Sequence, residues 1–198
     1  VDGDVKIDDT EVTGWHPSKV RAAGLAYVPE ERMRDGVIGE FSVAENLILV
    51  AHDSEPVSRR GILRLGKIVD RCRDLVKRFD VKTPTLETTS STLSGGNIQK
   101  LILARELSGQ PKVLLAAQPT RGVDIGAAEY IHRRLIEERS AGNAILVISE
   151  DLDEVLALSD RVAVMFEGQI VAVMDVAEAT VERVGLLMAG SEIVAEVS

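Results

Sequence analysis

A serine and two glycines, Ser94-Gly95-Gly96, stand directly before a stretch with helical periodicity that runs from Asn97 to Leu107. Glycines allow a backbone to approach a ligand closely, and the unpaired amide hydrogens of a helix N-terminus attract anions. The Ser94 hydroxyl adds one more hydrogen-bond donor. These residues predict an anion-binding site. They leave open a simpler alternative, in which the three residues form a turn and Ser94 only caps the helix.

A second polar segment, Gln118–Asp124, follows the apolar run Val113–Ala117, which predicts a buried strand ending in a polar loop. Asp124 has the residue type of a helix N-cap and precedes the helical pattern Ile125–Ser140. Helical patterns alternate with short apolar strands over this half of the chain. Such alternation predicts an α/β fold built on a parallel sheet.

The other elements are predicted from apolar spacing and capping signals. Ser42 and Glu45 have the spacing of a capping box, so we expect a helix to begin at Ser42. An apolar helical face predicts a helix from 66 to 80, and the Thr- and Ser-rich stretch 83–92 predicts a loop. Further strands are expected at 24–28, 112–117 and 144–149, further helices at 97–107, 125–140 and 151–158, a hairpin from 161–166 and 169–174 around Glu167-Gly168, and a last amphipathic helix containing Val181, Val184, Leu187 and Met188.

The composition is typical of a globular domain. Of 198 residues, 45% are hydrophobic and 28% are charged. A net charge of −9 repels phosphate backbones and an aromatic content of 3% leaves little to stack on bases, so we expect no nucleic acid as partner. No apolar run approaches the ~18 residues of a membrane span. The histidines are scattered without ligand spacing, so no metal site is predicted, and the single cysteine, Cys72, is expected in the core.

These segments together resemble the ATP-binding domain of ABC transporters. LSGGNIQK at 93–100 is similar to the signature of that family, and VLLAAQPTRGVD at 113–124 is similar to its Walker B strand and D-loop. YVPE at 27–30 stands at the Q-loop, and SEDL at 149–152 stands at the switch region. The combination VPEER, FSVAENL, LSGGNIQK and QPTRGVD is most similar to the second of two tandem ATP-binding domains in importers of simple sugars and nucleosides.

The resemblance implies a truncated P-loop NTPase core of the α/β class with a parallel sheet. It implies three parts: a β-region with the Q-loop at 1–35, an inserted helical lobe at 36–92, and a part at 93–198 that carries the signature helix, the Walker B-like strand and the D-loop. ATP and Mg²⁺ are the cofactors that it implies for the full-length protein. We expect this chain alone to hold neither tightly.

Several positions depart from the family's pattern. A phosphate loop of the form G-x-x-x-x-G-K-[ST] is absent from the sequence. Ala117 stands where the family has the aspartate that holds Mg²⁺, and Gln118 where it has the glutamate that polarises water. An amide orients water but accepts no proton. Glu150 replaces the switch histidine and Glu30 the Q-loop glutamine. The resemblance therefore implies a degenerate catalytic site at Gln118 and Glu150, of low activity and without a metal ligand.

The resemblance also implies a use for the intact signature. Two domains of the family pair head to tail, and the signature of one closes over the ATP of the other. Ser94, Gly95, Gly96 and Asn97 would contact the partner's ATP, and Asp124 would lie near the seam. The expected partners are an N-terminal ATP-binding domain of the same polypeptide, transmembrane permease subunits and, indirectly, a solute-binding protein. The expected location is the cytoplasmic face of the membrane.

We therefore expect part of a sugar or nucleoside importer that does not hydrolyse ATP alone. The missing phosphate loop and the first residue, Val1, indicate an absent N-terminal piece. Its absence is expected to leave a gap in the sheet between 144–149 and 161–166, or a substitute strand from a second copy in a homodimer. Two alternatives remain: a non-transport ABC ATPase of translation or DNA repair, and a regulatory pseudo-ATPase.

One stretch, 59–78, has eight basic and two acidic residues, a net +6 against −15 for the rest of the chain. It either faces an anionic membrane surface or membrane subunit, or is a solvated helix face with ion pairs four residues apart around Asp70 and Asp74. Because the family docks its helical lobe on membrane subunits, the resemblance favours the first for location, with Ser42–Val50 as the contact.

Overall fold

Secondary structure in the computed structural model, which describes residues 3–191, follows the apolar runs and capping residues of the sequence. The strands are β1 Lys6–Ile7, β2 Thr10–Glu11, β3 Leu25–Val28, β4 Ser58–Arg59, β5 Ile62–Leu63, β6 Val113–Ala117, β7 Ala144–Ile148, β8 Arg161–Phe166 and β9 Gln169–Asp175. The α-helices are α1 Pro17–Ala22, α2 Val43–Ile48, α3 Leu65–Arg78, α4 Gly95–Leu107, α5 Ile125–Ser140, α6 Leu152–Leu158 and α7 Val181–Met188. The chain forms two compact units, Val1–Leu146 and Val147–Ser198.

The first unit contains a sheet with the strand order β3-β6-β7. Strands β3 and β6 run parallel, with Leu25 opposite Val113 and Val28 opposite Ala116. Alternate residues of the two strands, among them Val28, Leu114 and Ala116, are buried. A β-strand places successive side chains on opposite faces, so one face of this sheet supplies part of the core. The predicted parallel sheet is confirmed.

Helix α4 is the central element of the first unit. Its residues from Ile98 to Leu107 are buried apart from Lys100, because β3 and the helices α2, α3 and α5 pack against it. A helix covered on all sides is mostly apolar around its circumference. The buried polar residues of α4 are Gln99, Arg105 and Glu106. The predicted helix start at Asn97 is wrong. The helix begins at Gly95, because Ser94 supplies the N-cap.

Glu106 joins α4 to two other elements, and its side chain is fully buried. Its Oε2 accepts from Arg21 Nη1 in α1 at 2.7 Å and from the backbone amide of Tyr27 in β3 at 3.2 Å. Its Oε1 accepts from the buried Arg105 at 2.9 Å. The carboxylate thereby pairs an amide on the outer edge of β3, the end strand of its sheet.

The predicted helical lobe contains α2 and α3, and also a feature that the prediction missed. The capping box is confirmed, since Ser42 and Glu45 bond reciprocally and these bonds hold the pKa of the Glu45 carboxyl below its usual value. Cys72 is buried on the inner face of α3 as predicted, and burial raises the pKa of its thiol to about 11. The missed feature is the antiparallel hairpin β4-β5.

One of the two alternatives for 59–78, the solvated helix face, includes ion pairs four residues apart along α3. Among the described residues, no ion pair joins two side chains of this helix, and Arg64 instead lies 3.4 Å from Glu55 in the preceding loop. The basic residues of α3 are therefore not neutralised along their own helix.

The predicted β-region at 1–35 also contains helix α1, which the sequence analysis did not identify. Pro17 occupies its first position, where a missing amide hydrogen costs nothing, and His16 caps it through Nδ1. The strands β1 and β2 form a short antiparallel pair before it.

The second unit is a β-hairpin packed against helices. Strands β8 and β9 are antiparallel, as predicted, and Glu167 and Gly168 between them have φ values of 47° and 79°. Two successive positive φ values are typical of the type I′ turn, whose twist suits a hairpin. The core of this unit consists of Val162, Val164, Met174, Ala179, Val184 and Leu187. Within residues 3–191, β8 and β9 form a sheet of their own, separate from that of β7.

Replacing Glu106 tests its role in joining the elements of the first unit. In Glu106→Ala, Arg105 stays buried without its charge partner and the Tyr27 amide loses its acceptor. We expect the free energy of unfolding to fall by about 3 kcal/mol. The matched control is Asp35→Ala, which removes an exposed ion pair with Arg34 and should leave the urea midpoint unchanged. Equal midpoints for the two variants would contradict this role.

Candidate functional site

The turn before α4 is built around Ser94. Its hydroxyl accepts from the Asn97 backbone amide at 3.4 Å and from Asn97 Nδ2 at 2.9 Å. Asn97 Oδ1 in turn accepts from the backbone amide of Lys82 at 2.8 Å. The capping role of Ser94 is thus confirmed, and a cap at this position is compatible with an anion site. Ser94 is exposed and lies at the positive end of a long helix.

Gly95 and Gly96 lie so close to neighbouring groups that a side chain at either position would displace one of them. A Cβ at Gly95 would lie 2.8 Å from Arg32 Nη2 and 3.3 Å from the Gly122 carbonyl oxygen. A Cβ at Gly96 would lie 2.7 Å from Ala127 Cβ and 3.2 Å from Asp124 Oδ2. At Gly96 the contact is with the Ala127 Cβ, which cannot rotate away, so this arrangement requires glycine there. At Gly95 the nearest atom is the end of the flexible Arg32 side chain, which an added methyl group would displace.

Asp124 connects the next loop to α5. Its Oδ1 accepts from the Ala127 amide at 2.9 Å, which confirms the predicted N-cap, and its Oδ2 faces Gly96. The structure therefore brings Asp124 together with Gly95 and Gly96, which are far from it in the sequence. Both helix N-termini, those of α4 and α5, meet at this point.

Glu30 lies beside the same loop. Its carboxylate forms an ion pair with Arg121, and both side chains are about half exposed. Arg32 donates from one Nη to the Arg121 carbonyl and from the other to the Gly122 carbonyl at 2.9 Å. We call the assembly of Glu30–Arg32, Ser94–Gly96 and Arg121–Asp124 the three-loop cluster.

Arg32 and Arg121 were missed as site residues by the sequence analysis. A signal was present, since each arginine lies inside one of the motifs, VPEER and QPTRGVD. A charged residue in a motif loop can bond a neighbouring loop, but which loop it reaches depends on the fold.

The end of β6 carries no carboxylate. Ala117 is its last residue, and Gln118 follows with a φ of 49°, an uncommon left-handed conformation for a residue other than glycine. A methyl group cannot coordinate Mg²⁺, which prefers carboxylate oxygens. Within residues 3–191, His, Cys, Asp and Glu side chains form no group of three or more able to hold a metal ion. The residues at this strand end do not fit Mg²⁺.

Glu150 belongs to the second unit, whereas the three-loop cluster belongs to the first. It is exposed and lies between β7 and α6, where the neighbouring Asp151 caps α6 by accepting from the amides of Asp153 and Glu154. A carboxylate stands at this position in place of the imidazole of the family pattern.

One segment comes close to the phosphate-loop pattern without fitting it. Gly61, Gly66 and Lys67 have the required spacing, but Ile68 stands where the pattern has a hydroxyl residue. Gly61 lies in the turn of the β4-β5 hairpin, and Ile68 is a buried residue of α3. The segment is therefore a hairpin and a first helical turn, not a phosphate loop.

Lys100, the last residue of LSGGNIQK, fixes α4 to the end of α3. Its Nζ donates to Asp80 Oδ2 at 2.9 Å and lies 4.5 Å from the centre of the Tyr130 ring in α5. Hydrogen bonds from Lys82 and Lys100 hold the pKa of the Asp80 carboxyl below its usual value. This contact anchors the helix that follows the turn Ser94–Gly96, which we call the signature turn.

Gly96→Ala tests the contact between α4 and α5. The new methyl would meet Ala127 Cβ at 2.7 Å, so the two helix N-termini must separate and the free energy of unfolding should fall by about 1–3 kcal/mol. Gly66→Ala is the matched control, because a Cβ there meets nothing within 4 Å and alanine favours a helix by about 0.5 kcal/mol. Urea unfolding followed by circular dichroism measures both. A Gly96→Ala protein as stable as the control would show that the contact imposes no constraint.

Known proteins resemble this chain over almost its whole length. The guanosine import ATP-binding protein NupO of Bacillus subtilis (strain 168) is 41% identical over 96% of this chain and 37% of its own length. The nucleoside import ATP-binding protein NupA of Lactococcus lactis subsp. cremoris (strain MG1363) is 44% identical over 96% of this chain and 38% of its own. The glucose import ATP-binding protein TsgD13 of Haloferax volcanii is 39% identical over 95% and 34%. The chain thus spans 37% of NupO's length.

Solved structures show the same fold. The dimeric ATP-binding cassette MJ0796 bound to ADP and Pi superposes with a TM-score of 0.73 at 20% identity, over 88% of this chain and 74% of that chain. The ADP conformation of the ATP-binding cassette MJ1267 gives 0.68 at 22% identity, over 98% and 76%. These matches confirm the predicted fold of the ABC ATPases, the P-loop NTPase fold with a parallel sheet.

Within residues 3–191, no helix combines the length and the apolar character needed to cross a bilayer. The sequence profile of a protein family described as "ABC transporter" matches residues 1–121, which is more than half of the chain. The chain belongs to the ABC transporter family.

Proposed function

We propose that this chain is the second ATP-binding domain of a subunit that drives import of nucleosides or simple sugars. Its signature turn closes on an ATP held by the other domain of the subunit, and its own ATP site is degenerate. One observation carries the proposal. The exposed Ser94 turn keeps its close contact with the Asp124 loop, while β6, which would supply the catalytic carboxylates, ends in Ala117 and is followed by Gln118.

The transported class is inferred from the relatives. The names of NupO, NupA and TsgD13 refer to import of guanosine, nucleosides and glucose, and this chain is 39–44% identical to them. It spans just over a third of each, as an incomplete copy of one of two similar domains would do. On this basis the remainder of the subunit supplies the phosphate loop and the first ATP-binding domain.

The signature turn suits a triphosphate from another domain. The amides before the first turn of α4 and the Ser94 hydroxyl offer donors at the positive end of the helix dipole. The acidic side chain nearest to them, Asp124, has one oxygen bonded to the N-terminus of α5. The turn therefore offers hydrogen-bond donors to a nucleotide, but it includes no base or metal ligand.

At this chain's own site no hydrolytic step is assigned. Hydrolysis needs a group that polarises water and a ligand for Mg²⁺, and the end of β6 provides an amide and a methyl group instead. Glu30, at the Q-loop position, is engaged with Arg121. We infer that ATP turnover takes place in the other site of the subunit and that this chain completes that site.

The helical lobe is proposed to contact the permease at the cytoplasmic face of the membrane. In α2, Val43, Asn46 and Leu47 face the core, and Glu45 is exposed on the outer side, where its carboxylate accepts from Ser42. Within 59–78, Arg59 and Arg64 pair with Glu55 in the preceding loop. The basic residues of α3, which form no ion pair along their helix, are suited to an acidic permease loop or an anionic lipid surface.

Ser94→Arg tests the proposal in the complete subunit with its permease. A long cation in the turn blocks close approach of the nucleotide-bearing domain, so we expect ATP turnover to fall by more than about tenfold. Ser140→Arg is the matched control, because Ser140 is exposed at the C-terminal end of α5, where a cation is favourable. Unchanged turnover in Ser94→Arg would rule out a role for the turn in the other domain's site.

A further inference from the structure

Arg32 occupies an unusual place among the charged residues of the first unit, because its guanidinium contacts two loops at once. Its two Nη atoms donate to successive carbonyls, those of Arg121 and Gly122, in the loop that precedes α5. Gly122 has a φ of 63°, a left-handed conformation that only glycine adopts without cost. The two carbonyls thus face the same guanidinium.

The same guanidinium lies against the signature turn. A Cβ at Gly95 would be 2.8 Å from Arg32 Nη2 and 3.3 Å from the carbonyl oxygen of Gly122. The guanidinium therefore fills the space beside Gly95 that a Cβ would occupy, and it donates to the Gly122 carbonyl at 2.9 Å. A side chain at position 95 would have to push the guanidinium away from the loop.

The backbone of Arg32 is itself fixed to the signature helix. Arg32–Gly36 forms a single π-turn, closed by a hydrogen bond from the Val37 amide to the Arg32 carbonyl at 3.0 Å. Gly36 is buried against α4, where a Cβ would lie 2.5 Å from Ile102 Cδ1. The π-turn that contains Arg32 thus packs on α4, and the Arg32 guanidinium bonds the loop 118–124.

A second link runs in parallel. Glu30 pairs with the side chain of Arg121, the residue whose carbonyl accepts from Arg32. A guanidinium has a planar fork of donors that can bond two acceptors in fixed geometry, whereas an ammonium group is a single point charge. Charge alone therefore does not account for the arrangement, but a forked donor does.

We propose that Arg32 is a positioning residue that joins the signature turn to the loop 118–124, so that the two move as one surface when the other domain's ATP arrives. The role of Arg32 in ATP turnover rests on the proposed function, but the link that it makes between the signature turn and the loop 118–124 does not. Neither Arg32 nor Glu30 is assigned contact with nucleotide. Arg32 acts through the Gly122 and Arg121 carbonyls and through its packing on Gly95.

The test compares Arg32→Lys with Arg34→Lys in the complete subunit. Arg34 lies in the same π-turn, is exposed, and pairs with Asp35 next to it, so its replacement controls for charge-conserving change in this segment. The first readout is amide hydrogen exchange in 118–124. We expect exchange to quicken about tenfold in Arg32→Lys, with an unchanged melting temperature, and to stay as in wild type in Arg34→Lys.

The second readout separates positioning from a purely structural role. Gly95→Ala displaces the same guanidinium, so ATP turnover of the Arg32→Lys, Gly95→Ala double variant should match that of the more impaired single variant, whereas independent effects multiply. If amide exchange in 118–124 is unchanged in Arg32→Lys, Arg32 does not link the two loops, whatever the ATP turnover of Ser94→Arg. Faster exchange with wild-type turnover, or multiplied losses in the double variant, overturns the positioning role. The proposed function has its own separate test in Ser94→Arg.

Discussion

The turn Ser94–Gly96 lies close to the Arg32 segment and to the loop 118–124, and the rest of the structure depends on this contact. A methyl group at Gly95 would displace the Arg32 guanidinium, and one at Gly96 would clash with Ala127 and lie close to Asp124. Because of that contact, the N-termini of α4 and α5 meet at one place. The buried surroundings of α4, including Glu106 and the Lys100–Asp80 pair, hold the turn in position.

Binding and catalytic chemistry are distributed unevenly over this site. Helix N-termini and a hydroxyl provide donors suited to phosphate, and Arg32 and Arg121 lie in the same three-loop cluster. The end of β6, where the resemblance to the family leads us to expect acidic residues, has Ala117 followed by Gln118. The proposed division of labour, in which this chain closes a site that another domain equips for hydrolysis, follows from this asymmetry.

Local signals in the sequence predicted most elements correctly. Local features depend on a few adjacent residues, so they can be predicted without knowledge of the fold. Examples are the capping box at Ser42, the N-cap at Asp124 and the Glu167-Gly168 turn. Two elements escaped prediction: α1 is short and has no buried residue, and the β4-β5 strands contain two residues each. Neither leaves a periodic apolar pattern.

The contacts that organise the site could not be predicted in the same way. Arg32 and Gly122 are 90 residues apart in the chain, and Arg21 and Glu106 are 85 apart. Such pairs have no spacing rule, because the fold alone decides which charged side chains meet. The motifs indicated that Ser94–Gly96 and Asp124 matter, but not that an arginine would lie between their loops.

The account is tested most directly by where Mg-ATP protects the backbone. Amide hydrogen exchange of 94–97 should be measured with and without Mg-ATP in the complete subunit and in the isolated 198-residue chain. We expect protection of about tenfold or more in the complete subunit and none in the isolated chain. Equal protection in the isolated chain, or ATP hydrolysis by it, would contradict the claim that this turn serves a nucleotide held elsewhere.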